Sequence, residues 1–358
     1  MTMIRSREFW IVVVSGLLLG AVGVMLSVWG NPENSGVCVS CFIENSAGAL
    51  GLHDQANMKY LRPELIGFVL GSTACAALFG EFRSRGGSEP LSRLFLGMFM
   101  IFGCAVFIGC PIKLFLRLTA GDLTAAAGVA GLIAGVRIGL QGLAGGVEMD
   151  RRVTGQRGTG YVIPLLFVLL LAFLVVRPGF LVFSERGSAA RHAPWGIALG
   201  AGLLLGALAQ RSRFCVTGSI RDTLLMGVRI PAPWGLAAFI GAASLLSVVN
   251  GRFHLGLYGQ PGAHLDYLWS FLGMGLVGWI AVRIGGCPFR QLIKAGEGDA
   301  DAGLLVVGMF LGGALAQSWG IAATTAGVPL YGKVALLSGF AVMAAASLLT
   351  RKDSGQKA

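Results

Sequence analysis

Ile108-Gly109-Cys110-Pro111-Ile112-Lys113 opens a stretch that decides the fold. It continues through a short apolar run to Gly121-Asp122 and a Gly/Ala-rich span ending at Gly135. A second copy begins Ile284-Gly285-Gly286-Cys287-Pro288-Phe289-Arg290, with Cys287 lying 177 residues after Cys110. At that spacing Gly109 meets Gly286, Pro111 meets Pro288, Lys113 meets Arg290 and Arg117 meets Lys294. Gly121-Asp122 meets Gly298-Asp299, Gly131 meets Gly308, and Gly135 meets Gly312, all without a gap. The same spacing carries Cys38-Val39-Ser40 onto Cys215-Val216-Thr217, so four of the seven cysteines form two pairs. The chain is a duplication whose copies keep Cys-Val-Ser/Thr and Gly-Cys-Pro.

Of 358 residues, 55 % are hydrophobic and 13 % charged, the mean hydropathy is +0.74, and 56 are glycine. A soluble protein carries about 25 % charge, so lipid is the expected solvent. Apolar spans near the roughly 20 residues a crossing helix needs agree with that, and the glycine excess suits helices packed backbone to backbone. The net charge of +11 does not point to nucleic acid, because the basic residues lie between apolar spans, where topology places them. The first span, about 9–29, is too long for a cleaved signal peptide and lacks a clear small-residue cleavage site.

The pattern predicts ten crossings: about 9–29, 63–80, 94–109, 123–142 and 160–177, then 195–210, 233–249, 268–285, 302–321 and 332–350. Residues 30–57 begin with turn chemistry at Asn31-Pro32-Glu33-Asn34-Ser35-Gly36 and continue as an apolar segment too short to span, which reads as re-entrant. Short segments from Cys110 to Thr119 and from Cys215 to Met226 are expected as well. Residues 1–183 form the first repeat, 184–194 a linker and 195–358 the second repeat. Five crossings per half is odd, so the second copy must be inverted, giving an all-α, hourglass-shaped inverted-repeat membrane protein with re-entrant half-helices. One side receives Arg5, Arg7, Arg83, Arg85, Arg93, Arg151, Arg152, Arg157, Arg211, Arg213, Arg351, Lys352 and Lys357. The other receives only Lys59, Arg62, Arg177, Arg186, Arg191, Arg252 and Lys333. The richer side is assigned to the cytoplasm, with both termini there.

Proline favours the first helical position, where its missing N–H costs nothing. Cys110 and Cys287 are therefore expected at the N-termini of short helices, whose free N–H groups and positive dipole ends hold anions. Gly121 and Gly298 suit the ends of those helices. Asp122 and Asp299 suit either N-caps or proton or substrate groups. The pairs Lys113/Arg117 and Arg290/Lys294 share a helix face and could attract an anion or snorkel to headgroups. Arg211 and Arg213 read as topology anchors. Cys75 and Cys104 have no mates and read as small apolar residues. Cys38-x-x-Cys41 admits a redox pair or half a metal site, but Gly218 replaces the second cysteine in the other copy. His53, His192, His254 and His264 fall in expected loops without ligand spacing, so no metal or cofactor is expected. No nucleotide-binding fingerprint or catalytic triad is apparent.

Gln210-Arg-Ser-Arg-Phe-Cys215, Gly286-Cys287-Pro-Phe-Arg-Gln-Leu292, Ala295-Gly-Glu-Gly-Asp-Ala-Asp301 and Asn31-Pro-Glu-Asn-Ser-Gly-Val-Cys38-Val39 resemble the YeeE/YedE permease family over nearly the whole chain. Leu61-Arg-Pro-Glu64 and Phe82-Arg-Ser-Arg-Gly-Gly87 resemble its selenium-metabolism branch, YedE/FdhT. The resemblance implies a transporter of the bacterial inner membrane, not an enzyme, in which cysteine thiols relay a sulfur or selenium anion such as thiosulfate. It implies transport cysteines at Cys38, Cys110 and Cys287, with Cys215 the repeat mate of Cys38. Pro111, Pro288, Gly109, Gly286, Lys113 and Arg290 flank that path. Any cytosolic sulfur carrier of the TusA/SirA type would be a separate partner. The rival expectations are a membrane thiol oxidoreductase using Cys38 and Cys41, and a membrane subunit that docks a sulfur or selenium carrier.

Overall fold

Proline and a cysteine cap set the shortest helices. The computed structural model describes residues 6–87, 89–144, 153–154 and 158–349. In it Cys110 caps α5 (Pro111–Thr119) and Cys287 caps α12 (Pro288–Gly296), each with proline at the first position. Cys38 and Cys215 likewise cap α2 (Val39–Ala49) and α9 (Val216–Met226). All four bounds obey the 177-residue spacing, as do α4 (Pro90–Phe107) and α11 (Tyr267–Ile284). The remaining long helices are α1 (Arg7–Val28), α3 (Pro63–Leu78), α6 (Ala125–Ala144), α7 (Val162–Val176), α8 (Trp195–Ser212), α10 (Pro231–Val249), α13 (Ala300–Ser318) and α14 (Leu330–Leu349). Their ends drift from the spacing, because the loops between them differ in length.

Eight segments among the described residues are long and apolar enough to cross a membrane, each half-helix counting with the long helix before it. Of the ten expected crossings, α3 (16 residues) and α8 fall outside that set, and these two pack on each other. Side chains such as Leu165, Val168, Val175 and Val176 on α7 and Leu337, Leu348 and Leu349 on α14 are exposed. Such an apolar belt suits lipid contact. Among the described residues the sheet is a two-residue ribbon, Arg85–Gly86 against Val153–Thr154.

The halves interlock. α1 packs on α10 and α3 on α8, while α6 packs on α11 and α13 on α4. The close contacts are reciprocal. A Cβ on Gly131 would lie 2.0 Å from the Phe271 carbonyl oxygen, and one on its mate Gly308 would lie 2.1 Å from that of Leu94, the mate of Phe271. The junctions after the half-helices repeat too. Gly121 and Gly298 both adopt φ +92°, which suits glycine. The Ala120 and Gly121 carbonyls accept from His254 and Gly256, while those of Glu297 and Gly298 accept from Arg83 and Arg85.

Two cavities open at opposite ends of the bundle. The wide one (about 1040 Å³) is lined by Glu8, Glu81 and Arg211, beside the start of α1 and the ends of α3 and α8. The narrow one (about 390 Å³) is lined by Pro32, Arg62 and Arg191, beside the end of α1 and the starts of α3 and α8. The mates α1 and α8 thus run in opposite directions between the same two ends, which is an inverted repeat. Half-helices between two cavities make the hourglass.

Two corrections concern charges. Arg93, expected in a loop, lies in α4 and is buried. Arg62, expected as a loop charge, is buried at 1 % exposure. Arg5, Arg151, Arg152, Arg157, Arg351, Lys352 and Lys357 lie outside the described residues. The linker 184–194 is bound to the first half: the Ser184 hydroxyl accepts from Lys59 N at 2.8 Å, and Ala193 N donates to Asn31 Oδ1 at 2.9 Å.

Candidate functional site: two thiol pairs between two cavities

Each pair of short helices brings its N-termini together. In the first half, Val39 N at the start of α2 donates to Cys110 Sγ, the cap of α5, at 3.3 Å. Cys38 Sγ lies 3.5 Å from Ser40 Oγ. In the second half, Cys215 Sγ is 3.2 Å from Cys287 Sγ and accepts from Cys287 N and Gly218 N at 3.5 Å each. Thr217, the mate of Ser40, has a buried hydroxyl with no partner among the described residues. The positive ends of two helix dipoles thus meet at each pair of sulfurs. All four cysteines are buried. Cys215 lines the wide cavity, and Cys41, half-buried, lines the narrow one. Cys75 and Cys104 are buried, Cys104 within the apolar core.

The cations of each half-helix divide their roles. Arg117 is buried and pinned: Nε donates to Asp122 Oδ2 at 2.7 Å, Nη2 to Thr124 Oγ1 at 2.7 Å and Nη1 to the Phe107 carbonyl at 3.1 Å. Its guanidinium lies 4.5 Å from the Phe107 ring centre. Lys294 does the same for the second half, donating to the Ile284 carbonyl at 3.1 Å and standing 3.9 Å from Asp299. Phe107 and Ile284 are themselves mates. Arg117 and Lys294 therefore tie each half-helix to the long helix before it rather than snorkelling; Arg117 is enclosed, whereas Lys294 also lines the wide cavity. Asp299 caps α13 by accepting from Ala302 N at 3.0 Å. Asp122 instead pairs with Arg117 and accepts from Thr124 N, ahead of the start of α6. Lys113 and Arg290 face the cavities. Gly109 and Gly286 clear their stems: a Cβ would stand 2.6 Å from Lys113 Cδ or 2.7 Å from Arg290 Cβ.

Several polar residues of the narrow cavity are not kept in kind by the repeat: Glu44-Asn45 meets Arg221-Asp222 and Arg62 meets Phe239, so identity at the 177-residue spacing did not reveal them. Glu44 is buried and accepts from the Gln317 amide. Arg62 donates to Asn45 Oδ1 at 2.8 Å, to Asn31 Oδ1 at 3.3 Å and to the Ser188 and Arg191 carbonyls. Asn31 Nδ2 donates to Glu64 Oε1 at 2.7 Å. The available signal was local: polar residues in Glu44-Asn45 and Leu61-Arg62-Pro63-Glu64 inside or beside apolar spans. At the mouth of the wide cavity Arg211 pairs with Glu81 at 2.6 Å and stacks on Phe79. Hydrogen bonding from Gln210, with the nearby Arg211 charge, holds the Glu81 carboxyl below its ordinary pKa. His53 and His264 are buried, each with Nε2 on a backbone carbonyl, of Glu44 and Val106 respectively.

The chain is an all-helical, multi-pass membrane protein built as an inverted repeat, with buried thiol pairs between two cavities. Compared with known proteins, it matches no family model and no curated protein.

Proposed function

We propose that the chain is a permease that passes a small sulfur or selenium anion, thiosulfate or a selenium compound, between its two cavities by way of the capping thiols. One observation carries this reading: at both copies of the repeat, two short helices point their N-termini at a pair of cysteines. Backbone N–H groups and dipole ends favour negative charge there, and a polarisable chalcogen can accept from S–H donors. A hard oxyanion such as sulfate would call instead for arginine forks. The membrane is the bacterial inner membrane, with both termini and the wide, basic cavity on the cytoplasmic side. An inside-negative potential opposes anion influx by about 2.3 kcal/mol per charge per 100 mV. The anion must therefore be proton-coupled, run down its gradient or be consumed on arrival, and a separate TusA/SirA-like carrier at the wide cavity would consume it.

The test is uptake of radiolabelled thiosulfate and reduced selenium species into proteoliposomes, with sulfate as competitor. Cys110→Ala and Cys287→Ala should each abolish most uptake while the protein still inserts, and Cys75→Ala and Cys104→Ala should do little. Equal loss in all four, or strong competition by sulfate, would refute the thiol relay. Single cysteines introduced in the 83–87 loop should be shielded from an impermeant outside reagent and those in 252–264 should react; the opposite pattern would reverse the orientation. The 3.2 Å approach of Cys215 to Cys287 supports a second reading, a membrane thiol oxidoreductase working through this pair instead of the Cys38 and Cys41 expected from the sequence. Turnover by a permease leaves the thiol count constant, whereas an oxidoreductase passes two electrons and two protons from the dithiol to an acceptor such as a quinone and leaves a disulfide.

A further inference from the structure

The two halves differ in how they treat one charge. Lys113 and Arg290 are repeat mates that face the outer (narrow) and inner (wide) cavities. Lys113 is 3 % exposed, and its ammonium makes no direct hydrogen bond or ion pair among the described residues, feeling the Glu44 charge only at longer range. Its stem crosses Gly109, and its Nζ ends beside Gly262, where a Cβ would stand 3.1 Å away. Arg290 follows the equivalent track over Gly286, but its guanidinium lies 3.0 Å from Glu297 Oε1, and Arg85 stands 3.5 Å from the other carboxylate oxygen. The mate of Glu297 is Ala120, so the outer half lacks that carboxylate. Four other charged side chains line the outer cavity: Glu33 and Arg191 are exposed, Glu33 standing 3.9 Å from Arg252, and Glu44 and Arg62 are buried. Glu44 is held by Gln317, and Arg62 already donates to Asn31, Asn45 and two carbonyls.

We propose that Lys113 holds the charge of the transported anion in the outer cavity, and that Glu297 is a resident counter-charge that keeps Arg290 from doing the same in the inner one. This rests on the permease reading. A buried ammonium without a partner is unfavourable, and an incoming anion supplies that partner. At the inner face Glu297 already supplies it, so the anion has to compete with a carboxylate. The two faces then bind the same anion with unequal affinity, tight on the outside and loose on the inside. That difference sets the half-saturating concentration at each face; the gradient and the consumption of the anion set the net direction. Lys113 touches the anion, whereas Glu297 acts through Arg290 as a positioning residue.

The experiment measures radiolabelled thiosulfate transport from each face, in right-side-out and inside-out vesicles carrying the full chain. Lys113→Met should raise the outer half-saturating concentration by about ten- to a hundredfold, the worth of a charge-assisted hydrogen bond, and Lys113→Arg should recover most of it. Glu297→Gln should lower the inner half-saturating concentration by about tenfold and slow release. Absence of saturable uptake by the unaltered protein would overturn the permease reading and this assignment with it. Saturable uptake whose outer half-saturation moves less than about twofold in Lys113→Met would overturn the assignment alone. Should Lys113→Met fail to insert, the unaltered protein supplies the measurement through Cys41, which lines the same cavity. Anionic iodoacetate should alkylate Cys41 faster, relative to neutral iodoacetamide, than it alkylates free cysteine; a ratio no higher than that of free cysteine would overturn the assignment.

Discussion

Removing the cation that pins the first half-helix should unfold the septum more readily than removing its counterpart in the second. Arg117 and Asp122 are 1 % and 0 % exposed, and their side chains meet at 2.7 Å. Arg117→Met takes away that ion pair and the bonds to Phe107 O and Thr124 Oγ1, leaving a carboxylate in the core with only Thr124 to answer it. Stripping one partner from a buried pair costs about 3–5 kcal/mol. Lys294 stands 3.9 Å from Asp299, which keeps its cap bond to Ala302 N when the cation goes. Lys294→Met should therefore cost only about 1.5–3 kcal/mol, the range for a charged hydrogen bond. The assay is denaturation of the purified protein in mild detergent by titration with SDS, followed by circular dichroism. The double variant Arg117→Met/Asp122→Leu should recover much of the loss, because an apolar pair can replace a buried ion pair at little cost. A loss below about 1 kcal/mol for Arg117→Met, or equal losses for the two methionine variants, would refute the assignment of Arg117 as the tighter pin.

Gly131→Leu and Gly308→Leu should both prevent a monodisperse protein in size-exclusion chromatography, because each drives a side chain into a partner backbone now 2.0 or 2.1 Å from the Cβ position. Gly196→Leu, with open space around it, should be harmless, and equal tolerance of all three would contradict the interlocked packing. Glu81 contributes its tie to Arg211 fully above the ordinary carboxylate pKa, and that contribution fades as pH falls through its lowered value. Denaturation curves from neutral to acid pH should show the unaltered protein losing its advantage over Glu81→Gln only at the acid end; an advantage that persists through the acid range would count against the pairing.

The sequence by itself determined the helices, their caps and the inverted duplication. Proline after cysteine, glycine before aspartate and apolar runs of crossing length are local signals, and the 177-residue spacing states them twice. That is why α5 and α9 and the start of α12 were legible before any coordinates, while α2 was legible only as a short re-entrant segment. Only the tertiary structure decided what the polar side chains do. Lys113 and Arg117 lie one turn apart on the same helix, yet one ends in a cavity and the other against Asp122, because helix packing around them differs. Arg62 passes for a loop charge until Asn31, Asn45 and the linker carbonyls close around it. The meeting of Cys38 with Cys110 and of Cys215 with Cys287 also needs the fold, since each pair is 72 residues apart in the chain. The physical reason is common to all three. Periodicity and capping are properties of neighbours in sequence, whereas the partner of a buried charge or thiol is fixed by segments that meet only when the two halves interlock.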